Sequence, residues 1–224
     1  MKNVKYIDLG LSPYREVWQL QKELLEKIRR EKKDNRLEEH YLLFTEHPNV
    51  YTIGKSGDEA NMLMDALKLR SSDTDFIKVD RGGDITYHGP GQQVVYPIFD
   101  LEEFSIGVKT YVQNLEQVVI NVLHKYGITA DRLEGATGVW LDSNSSNARK
   151  ICAIGVKCSN YITMHGLALN VNTNLKYFDY INPCGFKDKG VTSVSQELGC
   201  GIETFDLKKD LLQEFQKVFG LKIS

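Results

Sequence analysis

The chain has 224 residues, 42% of them hydrophobic and 26% charged, which is typical of a soluble globular protein and excludes a disordered one. The formal net charge of −2 excludes recruitment of nucleic acid by an overall basic field, so no nucleic-acid partner is expected. The length suits one domain with a full core, and we expect a single domain over residues 1–224.

The sequence shows no sign of an export signal or a membrane segment. Residues 1–8 lack the apolar run that forms the core of a secretory signal. Elsewhere, no apolar stretch approaches the ~18 residues that a membrane-spanning helix requires. We therefore expect a cytoplasmic protein with no membrane partner, in a reducing compartment that disfavours disulfides.

Three helices are predicted from apolar residues that recur every three or four positions. The first begins with Ser12 as its cap and Pro13 at its first helical position, and a charged loop follows over residues 29–39. The second covers residues 107–126 and the third residues 205–219, because Gly127 and Gly220 are residues that commonly follow a helix.

Short β-like runs lie between the helices, and they do not alternate regularly with them. These runs cover residues 41–45, 50–54, 76–80, 92–98, 150–157 and 164–172. A polar segment over residues 142–149 is predicted to be a loop. The pattern indicates a mixed α+β domain with a largely antiparallel sheet rather than a doubly wound one.

A glycine-rich segment over residues 81–92 reads RGGDITYHGPGQ. Its four glycines indicate a backbone that turns sharply or approaches another group closely. The segment lacks the Gly-Lys-Ser/Thr ending of a phosphate-binding loop and the spacing of a dinucleotide-binding fingerprint. Two readings remain open: a loop that cradles a ligand, or a tight hairpin without one.

Lys150 opens the otherwise apolar run KICAIG, and on a regular strand it shares a face with Cys152 and Ile154. An amine among apolar neighbours loses solvation, and its pKa falls, so Lys150 is a candidate base. The alternative is a lysine at the solvent end of a strand.

Cys184 lies between proline and glycine in the run INPCG, and so in a turn rather than in an apolar stretch. A cysteine displayed on a turn is placed to react, although an incidental loop cysteine is the alternative. No two of the four cysteines form a C-x-x-C pair, which argues against a zinc ribbon.

Together, RGGDITYHGPGQ, KICAIG, HGLALNV and INPCG resemble the motifs of the lipoyl(octanoyl) transferases, in that family's order. The runs EHP, YTIG and VTS also fit, and the match spans about residues 40–198. The resemblance implies the fold of the biotin/lipoate protein ligases: a mixed, mostly antiparallel sheet flanked by helices.

The resemblance also implies an acyltransferase that needs no cofactor, no metal and no ATP. Its donor would be octanoyl-acyl carrier protein, from which an octanoyl (or lipoyl) group is moved. Its acceptors would be lysines on the lipoyl domains of 2-oxoacid dehydrogenase E2 subunits and of the glycine cleavage H protein.

Residue by residue, the family's acyl-thioester cysteine falls on Cys184, and its partner lysine falls on Lys150 rather than on Lys157. His88 and His165 are candidates to orient the site or to donate to an oxyanion, with a structural hydrogen-bonding role as the alternative for both. The resemblance assigns substrate binding to Arg81, Gly82, Gly83, Asp84, Ile85, Thr86, Tyr87, His88, Ala153, Ile154, Gly155, Gly166, Leu167 and Ala168.

Three other functions are considered. An ATP-dependent lipoate or biotin ligase would need no acyl cysteine, so Cys184 and the missing ATP motif argue against it. A non-catalytic lipoyl-domain binder would not need both Lys150 and Cys184. A metal-dependent hydrolase would draw on histidines that lack a recognisable ligand spacing, namely His40, His47, His88 and His165.

Overall fold

A large, mostly antiparallel sheet is the main element of this computed structural model, which describes residues 1–63, 74–182 and 189–224. In chain order, the strands and α-helices are β1 (Lys2–Leu11), α1 (Tyr14–Lys33), β2 (His40–Glu46), β3 (Val50–Ile53), β4 (Asp75–Lys78), β5 (Ile85–His88), β6 (Gln92–Ile98), α2 (Val108–Lys125), β7 (Asp131–Leu133), β8 (Ala136–Leu141), β9 (Arg149–Ser159), β10 (Ile162–Asn170), β11 (Gly190–Val191), α3 (Val194–Leu198), α4 (Thr204–Phe219) and β12 (Leu221–Ile223). Short 3₁₀ helices cover Glu59–Asn61 and Leu175–Tyr180.

The strands of the large sheet follow the order β12-β1-β2-β6-β10-β9-β8-β7, and β11 pairs with β9 beside this path. β1 runs parallel to both β12 and β2, and β11 runs parallel to β9, whereas the other pairs are antiparallel. A smaller sheet has the order β4-β3-β5. The predicted α+β class with a mostly antiparallel sheet is therefore confirmed.

The central strands β6 and β10 are buried along their whole length because helices cover both faces of the large sheet. On one face, the apolar stripes of α2 and α4 pack together, with Leu115 and Phe215 fully buried. On the other face, Val17 and Ile28 of α1 pack against Met164 of β10. Each such side chain contributes about 1.5–3 kcal/mol relative to an exposed one.

The observed helices correct the prediction mainly at α1. Pro13 is its cap, while the Ser12 hydroxyl donates to the Leu9 carbonyl at 2.7 Å and so does not cap the helix. The helix also continues to Lys33, through the first residues of the predicted loop. A contact with a distant part of the chain stabilises this charged end of the helix, since Lys32 pairs with the buried Asp100 at 2.8 Å.

The other predicted helices are confirmed within one residue, as are the six predicted strands within about two. Seven of the described strands and α-helices are not predicted from the apolar pattern. Five of them are short, with two to five residues each: β5, β7, β11, α3 and β12. In β1 and β8, polar residues or a glycine interrupt the apolar residues. None of the helices in the described part of the chain is long and apolar enough to cross a membrane.

Candidate active site

A cavity of about 450 Å³ lies where the glycine-rich loop meets β6, β9 and β10. This volume is within the range of small-molecule sites. Of the residues assigned to the site from sequence, those that line it are Arg81, Gly82, Gly83, Asp84, Ile85, Thr86, His88, Lys150, Ala153, Ile154, Gly155, His165, Gly166, Leu167 and Ala168. Segments far apart in the sequence therefore meet around one space.

The glycine-rich loop is shaped by the buried guanidinium of Arg81. This group donates to the carbonyl oxygens of Gly82 at 3.0 Å, of Asp84 at 2.8 Å and of Thr52 at 2.8 Å. The N–H of Gly82 then donates to the Val156 carbonyl at 2.9 Å, which seats the loop on β9. Arg81 thus fixes the conformation of the loop that forms one wall of the cavity.

Small residues on β9 and β10 leave room for this wall and for the cavity. Ala153 pairs with Ala168 and Gly155 with Gly166 across the two strands. A Cβ on Gly155 would lie 2.9 Å from the Gly82 carbonyl oxygen, so the loop approaches too closely for any other residue. The alanine pair, in contrast, borders open space.

A β-bulge decides where Lys150 points. Trp140 of β8 pairs with Lys150, yet its neighbour Val139 pairs with Cys152, so Ile151 is an extra residue in β9. The prediction that Lys150 shares a face with Cys152 is therefore wrong. Cys152 is fully buried in the core, where burial raises its thiol pKa, whereas Lys150 lines the cavity.

Lys157 has a different environment from Lys150. Its ammonium is 2.6 Å from one oxygen of the Asp80 carboxylate, and His165 Nε2 is 2.9 Å from the other. The hydrogen bond from His165, reinforced by Lys157, holds the pKa of Asp80 well below its usual range. Lys157 is not among the residues that line the cavity.

His165 lies in the cavity wall in a strained conformation, with φ at 59°. Burial lowers its pKa, so the ring is neutral near pH 7. Because a carboxylate only accepts, Nε2 carries the proton donated to Asp80, and Nδ1 is left as an acceptor 3.5 Å from the Tyr14 hydroxyl. The backbone N–H of His165 donates to the side-chain oxygen of Gln21 at 2.8 Å.

His88 is tied into the protein by both ring nitrogens. Nδ1 is 2.8 Å from the Gln92 side-chain oxygen, and Nε2 is 3.3 Å from the Thr52 hydroxyl. Burial holds its pKa well below the usual value, so it is neutral. These contacts favour a structural hydrogen-bonding role for His88 over a role in orienting the site or donating to an oxyanion.

Tyr87 is the one assigned residue of the described part that does not line the cavity, which corrects the prediction. Side chains alternate along a strand, and the ring of Tyr87 packs in the core of the small sheet. It stacks on Tyr177 with 4.7 Å between ring centroids, and its hydroxyl donates to Asn49 at 2.8 Å.

Several lining residues were missed from sequence. Val94 and Tyr96 follow Gln92, the last residue of the predicted glycine-rich segment, at alternate positions of β6, and this period was a usable signal once β6 had been predicted. Others come from elements whose meeting depends on the tertiary fold. They are Tyr14, Val112, Gly135, Ala136, Thr137, Trp140, Val156, Asn170, Phe178, Lys189, Gly190 and Val191.

Cys184 lies outside the described residues. Lys189, Gly190 and Val191, which follow in the described chain, line the cavity, and Val191 pairs with Lys150. Among the residues that the structure describes, no three His, Cys, Asp or Glu side chains are placed to hold a metal ion. His40 packs against Phe104 instead of lining the cavity.

Comparison with solved structures identifies the fold. A lipoate-protein ligase A with bound ATP has a TM-score of 0.74 and 16% identity, over 100% of this chain and 88% of that chain. A bipartite lipoate protein ligase of Thermoplasma acidophilum, from work that includes its E2 lipoyl domain, gives 0.73 and 14%, over 100% and 86%. A biotin protein ligase of Aquifex aeolicus with biotin and ATP gives 0.54 and 12%, over 98% and 71%. The fold is that of the lipoate and biotin protein ligases, as predicted.

Comparison with related sequences identifies the family within this fold. The family model of the lipoyl protein ligase A/B catalytic domain matches residues 13–216. An octanoyltransferase of Bacteroides fragilis is 55% identical over 207 residues, 92% of this chain and 94% of that protein. One of Bacteroides thetaiotaomicron is 52% identical over 222 residues, 99% of this chain and 97% of that protein. The chain belongs to the lipoyl protein ligase A/B catalytic domain family, which confirms the predicted family and the predicted enzyme class, an acyltransferase.

Proposed function

We propose that this chain is an octanoyltransferase of protein lipoylation, which moves an octanoyl or lipoyl group to a lysine of a lipoyl domain through a thioester on Cys184. One observation carries the proposal: three motifs that are remote in sequence, RGGDITYHGPGQ, KICAIG and HGLALNV, surround a single cavity, and Lys150 faces into it. Residues 1–224 would form one catalytic domain that works in the cytoplasm, where the thiol stays reduced.

The partners follow from the same proposal. The donor is octanoyl-acyl carrier protein, whose thioester is already activated. The acceptors are lipoyl domains of 2-oxoacid dehydrogenase E2 subunits and of the glycine cleavage H protein. An E2 lipoyl domain was studied with the Thermoplasma acidophilum ligase of the same fold, which supports this class of acceptor.

In the first half-reaction, the Cys184 thiolate attacks the donor thioester. A free cysteine has a pKa of about 8.5, so only a few per cent is thiolate at pH 7. Lys150 takes the thiol proton, the acyl carbon–sulfur bond to the carrier breaks, and the proton passes to the departing carrier thiolate. One thioester replaces another, so the step is close to isoenergetic and needs no ATP.

In the second half-reaction, the acceptor lysine attacks the acyl-enzyme. The acyl group leaves sulfur for nitrogen, and the attacking amine loses a proton to Lys150 or to the released Cys184 thiolate. Amide formation from a thioester is downhill and drives the cycle. The cysteine and the lysine exchange a proton, so they titrate as a pair.

Both half-reactions pass through an oxyanion that needs preorganised donors. The Gly82 N–H is committed to Val156, and the Nε2–H of His165 is committed to Asp80. We therefore assign His165 an orienting role rather than a donor role. Backbone N–H groups elsewhere in the cavity wall would supply the oxyanion donors.

The Ala153–Ala168 pair would form the floor under the acyl chain. An Ala153→Leu substitution is expected to fill part of the cavity and to lower the octanoyl-to-hexanoyl ratio of kcat/KM about tenfold or more. The reason is that each methylene excluded from burial forfeits ~0.8 kcal/mol. Competition between the two carrier-bound acyl donors measures this ratio, and hexanoyl transfer serves as the internal control for folding. An unchanged ratio would remove Ala153 from the floor.

Intact mass after mixing with octanoyl-carrier protein, without ATP, tests the proposal as a whole. The expected result is one added octanoyl group on Cys184, followed by its transfer to a lipoyl domain. The ligase alternative predicts no mass increase without ATP, and formation of an acyl-adenylate only when ATP and free octanoate are both supplied. The non-catalytic alternative predicts binding of a lipoyl domain with no acyl transfer under either condition.

A further inference from the structure

The side chain of Lys150 lies against an aromatic face. Its Nζ is 4.6 Å from the ring centroid of Trp140, the residue that faces it across the β8–β9 pair. An ammonium within about 6 Å of an indole face is attracted by the ring quadrupole, whereas a neutral amine is attracted much less. The bulge at Ile151 creates this contact, because without it Lys150 would face the core.

The indole itself is held in place from two directions. Trp140 is 2% exposed and packs with Ala136, Ala148 and Leu133. Its Nε1–H donates to the carbonyl of Ala136, four residues earlier in β8, at 3.0 Å. The ring is therefore a fixed surface rather than a side chain that follows the lysine.

Gly138 is the second residue beside the Lys150 side chain. We call the pair Gly138 and Trp140 the lysine seat. Gly138 has φ at 123°, and a Cβ there would lie 2.5 Å from the Cys152 carbonyl oxygen and 3.5 Å from Lys150 Cε. Its N–H donates to the buried Glu116 at 3.1 Å. The close carbonyl and the positive φ require glycine here, and the aliphatic stem of Lys150 passes at van der Waals distance from the position that a Cβ would take.

We propose that Trp140 is a positioning residue, whose indole face holds the Lys150 ammonium at the cavity wall and favours its charged form between proton transfers. This proposal rests on the proposed role of Lys150 in acyl transfer. The seat opposes the loss of solvation that a half-buried amine suffers. A charged Lys150 would then stabilise the thiolate of the attacking cysteine.

Other charges also act on Lys150. On the cationic side are Arg81 and Lys189, which line the cavity, and Arg149, which is paired with Glu197 of α3 and with Asp142. On the anionic side are Asp84 of the glycine-rich loop and Glu116 of α2, the latter paired with Arg132 at 2.9 Å. Further titratable groups among the described residues include the neutral His88 and His165, the tyrosines Tyr14 and Tyr96, which line the cavity, and the buried thiol of Cys152. The Trp140 substitutions leave all of these side chains in place in the sequence.

The test compares the wild-type protein with Trp140→Phe and Trp140→Leu. Amine acetylation by acetic anhydride is followed against pH and resolved at Lys150 by peptide mass spectrometry. The pH midpoint for Lys150 is expected to fall by roughly 0.5–1.5 units in Trp140→Leu and by less in Trp140→Phe. The midpoint for Lys157, which is paired with Asp80 on the same strand, is the control and is expected to stay in place.

The lower limb of the pH profile for octanoyl transfer should move in the same direction as the Lys150 midpoint. If Trp140→Leu does not fold, the Trp140→Phe comparison carries the test, since it preserves most of the packing. An unchanged Lys150 midpoint in a folded variant would overturn the proposal. Acetylation does not depend on Cys184 chemistry, so a shifted midpoint without octanoyl transfer would retain the seat and reject the proposed function.

Discussion

Replacement of Cys184 by serine is expected to abolish covalent acylation and to reduce octanoyl transfer by at least about 10³-fold. A serine hydroxyl at neutral pH supplies far less anionic nucleophile than a cysteine. The measurement pairs intact mass after exposure to octanoyl-carrier protein with the rate of lipoyl-domain modification.

Cys200→Ser is the matched control for this substitution. Cys200 is exposed and does not line the cavity, so its replacement should leave both the mass increase and the rate at wild-type values. Circular dichroism and the unfolding midpoint show whether each variant keeps the fold. Normal turnover by Cys184→Ser would refute the thioester mechanism.

The second large effect is expected at Lys150. Lys150→Ala should slow both half-reactions by about 10²–10⁴-fold, because it removes the group that accepts a proton in each. Lys157→Ala should cost less than about tenfold, since it removes a partly exposed ion pair with Asp80, an interaction worth up to ~1 kcal/mol. Single-turnover mixing separates formation of the acyl-enzyme from its transfer, and the reverse ranking of the two lysines would overturn the assignment.

Lys150→Arg separates the two roles of this side chain. A guanidinium keeps a positive charge near Trp140 but cannot act as a base, because it stays protonated. Formation of the acyl-enzyme should therefore survive better than in Lys150→Ala, whereas transfer to the acceptor amine should be as slow. Equal loss of both steps in the arginine variant would argue that charge alone has no role.

Local pattern was sufficient for the elements with strong periodicity. The apolar stripes of α2 and α4, their glycine stops, and the runs of β6 and β10 predicted elements that the structure confirms within one or two residues. It was insufficient where long-range contacts stabilise a polar stretch. The end of α1 is an example, since Lys32 is held by Asp100 from another part of the chain.

The sequence by itself determined the family, the α+β class and the segments that border the cavity, because these depend on residue identity and short-range spacing. Only the tertiary structure decided the facing of Lys150, which one extra residue in β9 reverses through its pairing with β8. It likewise decided that Trp140 and Gly138 form the lysine seat and that Tyr87 packs away from the cavity. Strand register is set by pairing between distant segments, and a single-residue shift moves a side chain to the other face of the sheet.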